Sequence, residues 1–129
     1  MIYKPYYLYI VTNYNRTVLY TGITNNLEKR IIEHYIGKPN SFTTKYNVYY
    51  LLYYESSRYI NNTIAREKEI KGWTREKKEN LITGFNPEWK FLNEELFGKW
   101  PPDEITVIYN LADSSPAAQN DKSKILYSL

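Results

Sequence analysis

The sequence predicts an α+β domain, and three observations carry that expectation. Tyr6–Thr12 and Thr17–Ile23 are rich in aromatic and β-branched residues, and only the short polar turn Asn13–Arg16 separates them. A connection that short joins antiparallel strands. A third apolar run, Val48–Glu55 (VYYLLYYE), reads as another strand. The segments between and after these runs carry apolar residues at helical spacing, bounded by capping residues.

Taken in order, Tyr6–Thr12 is almost continuously apolar, so both of its faces are expected to be covered. Gly22 lies near the end of the second strand. Asn25 then reads as a helix N-cap, with Glu28 three residues on in the capping-box position. The helix is expected over Leu27–Ile36 and stops at Gly37. Gly37–Asn47 (GKPNSFTTKYN) reads as a loop. Val48–Glu55 is too apolar for an exposed edge. A second helix is expected over Asn62–Gly72, capped by Asn61 or Asn62, and a third over Trp73–Ile82. Asn86-Pro87 turns into PEWKFLNEEL, expected as a short amphipathic helix with Trp89, Phe91, Leu92 and Leu96 inward. Gly98 and Pro101-Pro102 close the compact domain, placed at residues 1–100. Residues 101–129 form an extension in which Ile105–Leu111 could add a strand and Ala112–Lys124 is linker-like.

The chain has 129 residues, enough for one domain with a modest core. It has no cysteine, which excludes disulfides and thiolate metal sites and fits a reducing compartment. No apolar run approaches the roughly 20 residues of a membrane span. The start, MIYKPYYLYI, lacks the shape of a signal peptide. A soluble cytoplasmic protein with no membrane partner is therefore expected.

Charge is unevenly spread. Residues 1–100 hold 15 Lys and Arg against 10 Asp and Glu, whereas residues 101–129 hold 2 against 4. Of 15 tyrosines, 13 precede residue 60. Cations interleaved with aromatic rings suit a nucleic-acid surface, where the cations meet phosphates and the rings stack on bases. The plainer account is a genome rich in Lys, Asn, Ile and Tyr codons. On the third helix Arg75, Lys77 and Lys78 form a basic outer face, which suits a phosphate backbone or simply solvent.

Two helices carry the candidate chemistry. Leu27, Ile31, His34 and Tyr35 share one stripe of the first, with Arg30 at its edge. Arg30 and His34, four apart, project side by side. Taken alone, they also fit a solvated cation and a satisfied core histidine. On the second helix Ile60, Ile64 and Ile70 mark the inward side, and Glu67 falls between them. A carboxylate on an apolar stripe needs a partner. Lys71, one turn on, could supply a salt bridge. Alternatively, Glu67 could bind a hard cation whose shell is completed by water and substrate phosphate.

In that order these residues resemble the GIY-YIG nuclease domain, above all its small stand-alone bacterial and phage members. The resemblance extends more distantly to the nuclease module of the incising subunit in nucleotide excision repair. The first signature aligns with Tyr7-Leu8-Tyr9, Tyr7 replacing glycine. The second aligns with Tyr20-Thr21-Gly22, Thr21 replacing isoleucine. NNLEKRIIEH follows with the family arginine at Arg30 and histidine at His34, and AREKEIKGWTREKKENLI places the family glutamate at Glu67. NPEWKFLNEEL resembles the closing element of the stand-alone group, so the match spans about residues 5–97.

The resemblance implies a three-stranded antiparallel sheet flanked by helices, and one divalent ion, Mg²⁺ with Mn²⁺ as substitute, held by Glu67. It implies DNA phosphodiester hydrolysis with Tyr9, Tyr20, Arg30, His34 and Glu67 as the catalytic set. Arg30 would grip the phosphate. Tyr9 would act as base or water positioner, its phenolate favoured by Arg30 and metal, with His34 as relay. Tyr20 would orient the nucleophile or phosphate, and the two tyrosines could exchange roles. Gly22, Lys45, Lys71, Arg75, Lys77 and Lys78 are the expected DNA-binding residues. Asn80 and Asn86 are possible additional site residues, Asn86 being the more easily read as a turn residue. The stretch after Pro102 is too short for a recognition domain. Weak sequence specificity is expected unless a partner or the loop Gly37–Asn47 supplies it. Single-stranded or distorted DNA is slightly favoured over intact duplex. One active site cuts one strand, so double-strand cleavage would need a dimer or two events. The alternative is a non-catalytic nucleic-acid-binding module on the same fold.

Overall fold

β1 (Tyr6–Thr12) is the middle strand of a three-stranded sheet, with β2 (Leu19–Thr24) on one side and β3 (Tyr50–Ser57) on the other, both antiparallel to it. The computed structural model describes residues 4–103. Helices α1 (Leu27–Ile36), α2 (Phe42–Lys45), α3 (Ile60–Lys71), α4 (Arg75–Phe85) and α5 (Asn93–Phe97) complete the domain. The expected α+β class and three-stranded antiparallel sheet are what is found. The strand expected at Ile105–Leu111 and the linker at Ala112–Lys124 lie outside the described residues.

β1 is apolar throughout because it divides two cores. Side chains alternate across a strand, so Tyr9 and Val11 pack on one face with Leu27 and Ile31 of α1, and with Val48, Leu51 and Leu92. Leu8 and Ile10 pack on the other with Leu52, Tyr53, Ile70 of α3 and Ile82 of α4. Each fully buried aliphatic side chain contributes about 1.5–3 kcal/mol. A bulge assists this split. Ile10 pairs with Tyr53 but Val11 with Leu51, which leaves Leu52 as the extra residue. Leu52 and Tyr53 therefore both turn to the second core.

β3, too apolar for an exposed edge, is an outer strand of the sheet, but a covered one. Its apolar character is reconciled by what covers its free side. Leu51 N–H donates to Asn93 Oδ1 at 2.7 Å, and Leu92 N–H donates to Leu51 O at 2.8 Å. Asn86 Nδ2 donates to Leu52 O at 3.0 Å, and Asn93 Nδ2 to Tyr49 O at 2.9 Å. Two asparagine side chains and one amide thus stand where a fourth strand would pair.

Several element ends move for local reasons. The N-cap of α1 is Asn26, not Asn25, because the Asn26 side chain accepts from Lys29 N–H. α3 starts at Ile60 rather than Asn62, with Tyr59 as cap and Thr63 N–H donating to Tyr59 O. Asn61 and Asn62 are therefore inside the helix, and Ile60, expected inward, is 38% exposed. Only the last four residues of PEWKFLNEEL are helical, as the start of α5. The Asn86 amide holds Lys90 N–H and Lys90 O, and Trp89 takes a positive φ of 53°, so the preceding residues turn. Gly98, at φ 79°, ends α5 in the left-handed conformation that glycine adopts without strain. Among the described residues, no helix is long and apolar enough to cross a membrane.

Candidate active site

α1 buries Leu27 and Ile31 against the sheet, which brings the His34 imidazole to β1. His34 Nε2 lies 2.7 Å from the Tyr9 hydroxyl, and Nδ1 lies 3.1 Å from Thr43 Oγ1. In the tautomer with its proton on Nδ1, the imidazole donates to Thr43 and accepts from the Tyr9 O–H. The Tyr20 ring meets the imidazole edge-on at 5.5 Å from the adjacent strand. Tyr9, Tyr20 and His34 therefore converge as a single cluster.

Gly22 is what makes room for that cluster. It stands opposite Tyr9 in the β1–β2 register. A Cβ at this position would sit 2.5 Å from the Tyr9 hydroxyl oxygen and 2.6 Å from Cζ, inside van der Waals contact. The Tyr9 ring lies directly across the glycine backbone. Gly22, expected among the DNA-contacting residues, is instead buried beneath the ring, and the requirement for glycine is one of clearance.

Arg30 sits at the rim. Its Nε is 3.1 Å from Glu33 Oε1, an ion-pair distance, but the angle leaves Nε without a hydrogen-bond partner. The side chain is 42% exposed, so its other nitrogens can meet a ligand. Burial pushes the Tyr9 phenol well above its ordinary range, and Arg30 opposes the shift only in part. The expected net lowering of this phenol by nearby positive charge is thus reversed in the protein alone, because desolvation of the phenolate outweighs one half-exposed cation. Burial, and then Arg30, push His34 down to about 4. At neutral pH the pair is a protonated phenol on a neutral imidazole.

That shift has a consequence for stability. The folded His34 pKa lies below the unfolded value of 6.5, so between pH 6.5 and about 4 the unfolded chain binds more protons. Stability is then full above pH 6.5 and declines as pH falls through this window. The loss assigned to His34 is about 3 kcal/mol. Urea unfolding of wild type and His34→Gln at pH 7 and pH 4 is expected to show a steeper acid loss in wild type by that amount. Parallel slopes would remove the assignment.

Glu67 lies on α3, the helix that packs on β1 and β2. With Thr63 and Ile70 it lies on the inward stripe of α3, and Ile70 joins the core on the opposite side of the sheet from Tyr9. Its side chain is 20% exposed and Lys71 Nζ is 3.2 Å away, so the anticipated salt bridge forms. As a donor set for a metal, one half-buried carboxylate suits a hard ion of the Mg²⁺ kind, which keeps several waters and takes substrate oxygens. Among the described residues no group of three or more His, Asp or Glu forms a closed cage.

The expected DNA-binding cations are differently employed. Arg75 donates to Thr17 O and Arg16 O and pairs with Glu79, so it ties α4 to the hairpin turn. Lys77 lies over the Trp73 ring at 4.5 Å. Lys71 holds Glu67, and Lys78 is half-buried on α4. Lys45 lies over Tyr46 at 5.3 Å. Asn80 is exposed on α4. Asn86, considered for the site, is buried with its amide committed to Leu52 and Lys90 backbone, so its role is to fold the turn.

Sequence reasoning missed α2 and with it Thr43. Ser41 caps α2, its Oγ accepting from Thr44 N–H at 3.2 Å. A serine before a short run of threonines was the available signal, masked by the glycine, proline and asparagine around it.

The comparisons agree with this geometry. Residues 5–80 match the family model described as the GIY-YIG catalytic domain. A UPF0213 protein of Haloquadratum walsbyi is 37% identical over 76 residues, 59% of this chain and 84% of that protein. A UPF0213 protein of Staphylococcus saprophyticus is 37% identical over 78 residues, 60% of this chain and 94% of its own length. One from Clostridium perfringens is 37% identical over 93 residues, 72% of this chain and 94% of that protein. No solved structure matches the chain. With its family model covering more than half of its length, this chain belongs to the GIY-YIG catalytic-domain family, whose members are nucleases.

Proposed function

We propose that the protein is a divalent-metal-dependent DNA endonuclease with weak sequence specificity that acts on single-stranded or distorted DNA. The observation that carries this reading is the buried Tyr9–His34 hydrogen bond of 2.7 Å, continued to Thr43 and flanked by Arg30. A fully buried hydroxyl on a neutral imidazole is an arrangement for moving a proton.

Hydrolysis adds water across a phosphodiester: a P–O bond forms to water and the bond to the 3′-oxygen breaks. The attacking water gives its proton to the Tyr9 oxygen as the Tyr9 proton passes to His34 Nε2, while Nδ1–H stays on Thr43. The imidazolium, disfavoured by burial, then returns its proton through Tyr9, and the departing 3′-oxygen takes it up. Arg30 faces the charge that accumulates on the phosphate oxygens. Tyr20, half-buried beside the imidazole, orients the water or the phosphate. Glu67 would hold a divalent ion, whose contribution when bound is to neutralise charge on the leaving oxygen.

The test is a nicking assay on single-stranded and supercoiled DNA with Mg²⁺, Mn²⁺ or EDTA, using wild type and Glu67→Gln. Metal-dependent nicking by wild type alone is expected. DNA binding without nicking of either substrate in either metal would favour a non-catalytic module on this fold.

A further inference from the structure

α2 does two things at once. Its Thr43 is buried against His34 Nδ1, while its neighbours Phe42 and Tyr46 are 48% and 41% exposed. The Phe42 ring stacks on Tyr20 at 6.1 Å with 27° between planes, and Tyr46 meets Phe42 at 4.8 Å. Tyr20 in turn meets His34. A continuous row of rings therefore runs from the buried imidazole to the surface, and Lys45 stands over its outer ring at 5.3 Å.

Phe42 and Tyr46 are contiguous, and contiguous exposed apolar surface, unlike a single exposed ring, marks an interaction site. Here the row begins at the proposed reacting centre, ends beside a cation, and offers flat faces rather than a hydrogen-bond pattern. That chemistry fits a nucleobase without a pairing partner, with a phosphate one step along. A base within a duplex is stacked on both sides and cannot present a face.

We infer that Phe42 and Tyr46 form a stacking platform for an unpaired DNA base next to the scissile phosphate, with Lys45 on the adjoining phosphate, and that this platform sets the preference for single strands. The inference rests on the endonuclease reading for its substrate but can be measured without catalysis.

Fluorescence anisotropy in EDTA, with a short thymidine oligonucleotide and a fully paired hairpin of equal charge, tests it in wild type, Phe42→Leu and Tyr46→Leu. Each substitution is expected to weaken single-strand binding about tenfold and to leave hairpin binding within about twofold. An oligonucleotide with one abasic position at the platform should lose affinity for wild type and no further affinity for the variants. Phe42 leans on Tyr20, so a thermal melt accompanies it. Tyr46→Leu, farther from the core, decides the matter where Phe42→Leu unfolds. Equal losses on both probes, or no loss, overturn the platform. Nicking by wild type with strand preference unchanged in the variants overturns the platform and leaves the nuclease standing. Selective loss of single-strand binding in a protein that never nicks supports the platform and removes the nuclease.

Discussion

Glu67→Gln is expected to lower metal-dependent nicking about a thousandfold and to change stability very little. The two halves of that result separate the two roles open to this carboxylate. As half of a salt bridge, Glu67 meets Lys71 at 3.2 Å, with the lysine side chain 51% exposed. A pair so open to water contributes under about 1 kcal/mol, so its loss would barely move a melting curve. As a metal ligand, the carboxylate supplies the negative charge that holds the ion, and the isosteric amide does not. A variant as stable as wild type that nicks at wild-type rate would leave only the salt bridge. Lys71→Gln gives the complementary reading. Removing a cation 3.2 Å from the ligand is expected to lower the Mn²⁺ concentration needed for half-maximal nicking.

Gly22→Ala is expected to cost about a hundredfold in turnover and about 2–4 kcal/mol in stability. The added methyl would lie 2.5 Å from the Tyr9 oxygen. A side-chain tip elsewhere could swing away, but Tyr9 is fully buried and held by His34. Yielding therefore means breaking a buried hydrogen bond and repacking a core shared with Val11, Leu27 and Ile31. Steady-state nicking and urea unfolding of the variant check both parts. Wild-type activity would show that the clearance over Gly22 does not position the hydroxyl.

The sequence carried the fold well because β1 and α1 are patterned without conflict. β1 is apolar on both faces and is buried on both, and Leu27, Ile31 and His34 fall on one helical stripe. Tyr9, Arg30 and His34 sit on these two regular patterns and Tyr20 on β2, and the family resemblance named them as a set. What escaped depended on side chains that replace backbone partners. Strand composition marked the β3 edge as not exposed, but no periodicity encodes what covers it, an amide bonded to a strand 34 or 42 residues away. The reason for Gly22 was hidden likewise, since cross-strand register, not spacing along the chain, puts Tyr9 over it. The burial that outweighs Arg30 at Tyr9 in the protein alone was hidden too, because burial depth is not written in the residues next to it.

The covered edge of β3 bears on the ageing of the protein in solution. Asparagine side chains convert slowly to carboxylates, and here Asn93 accepts from Leu51 N–H and donates to Tyr49 O, while Asn86 donates to Leu52 O. At Asn93 the change would replace the donor to Tyr49 O with a second acceptor, and at Asn86 the donor to Leu52 O. Leu52 O, inside the apolar run Leu51–Tyr54, would then lose its side-chain donor, and an outer strand with open backbone groups invites pairing with another extended chain. Conversion at these two amides would thus weaken the cover over the outer strand, with Tyr9 on β1 and His34 on α1 chemically untouched.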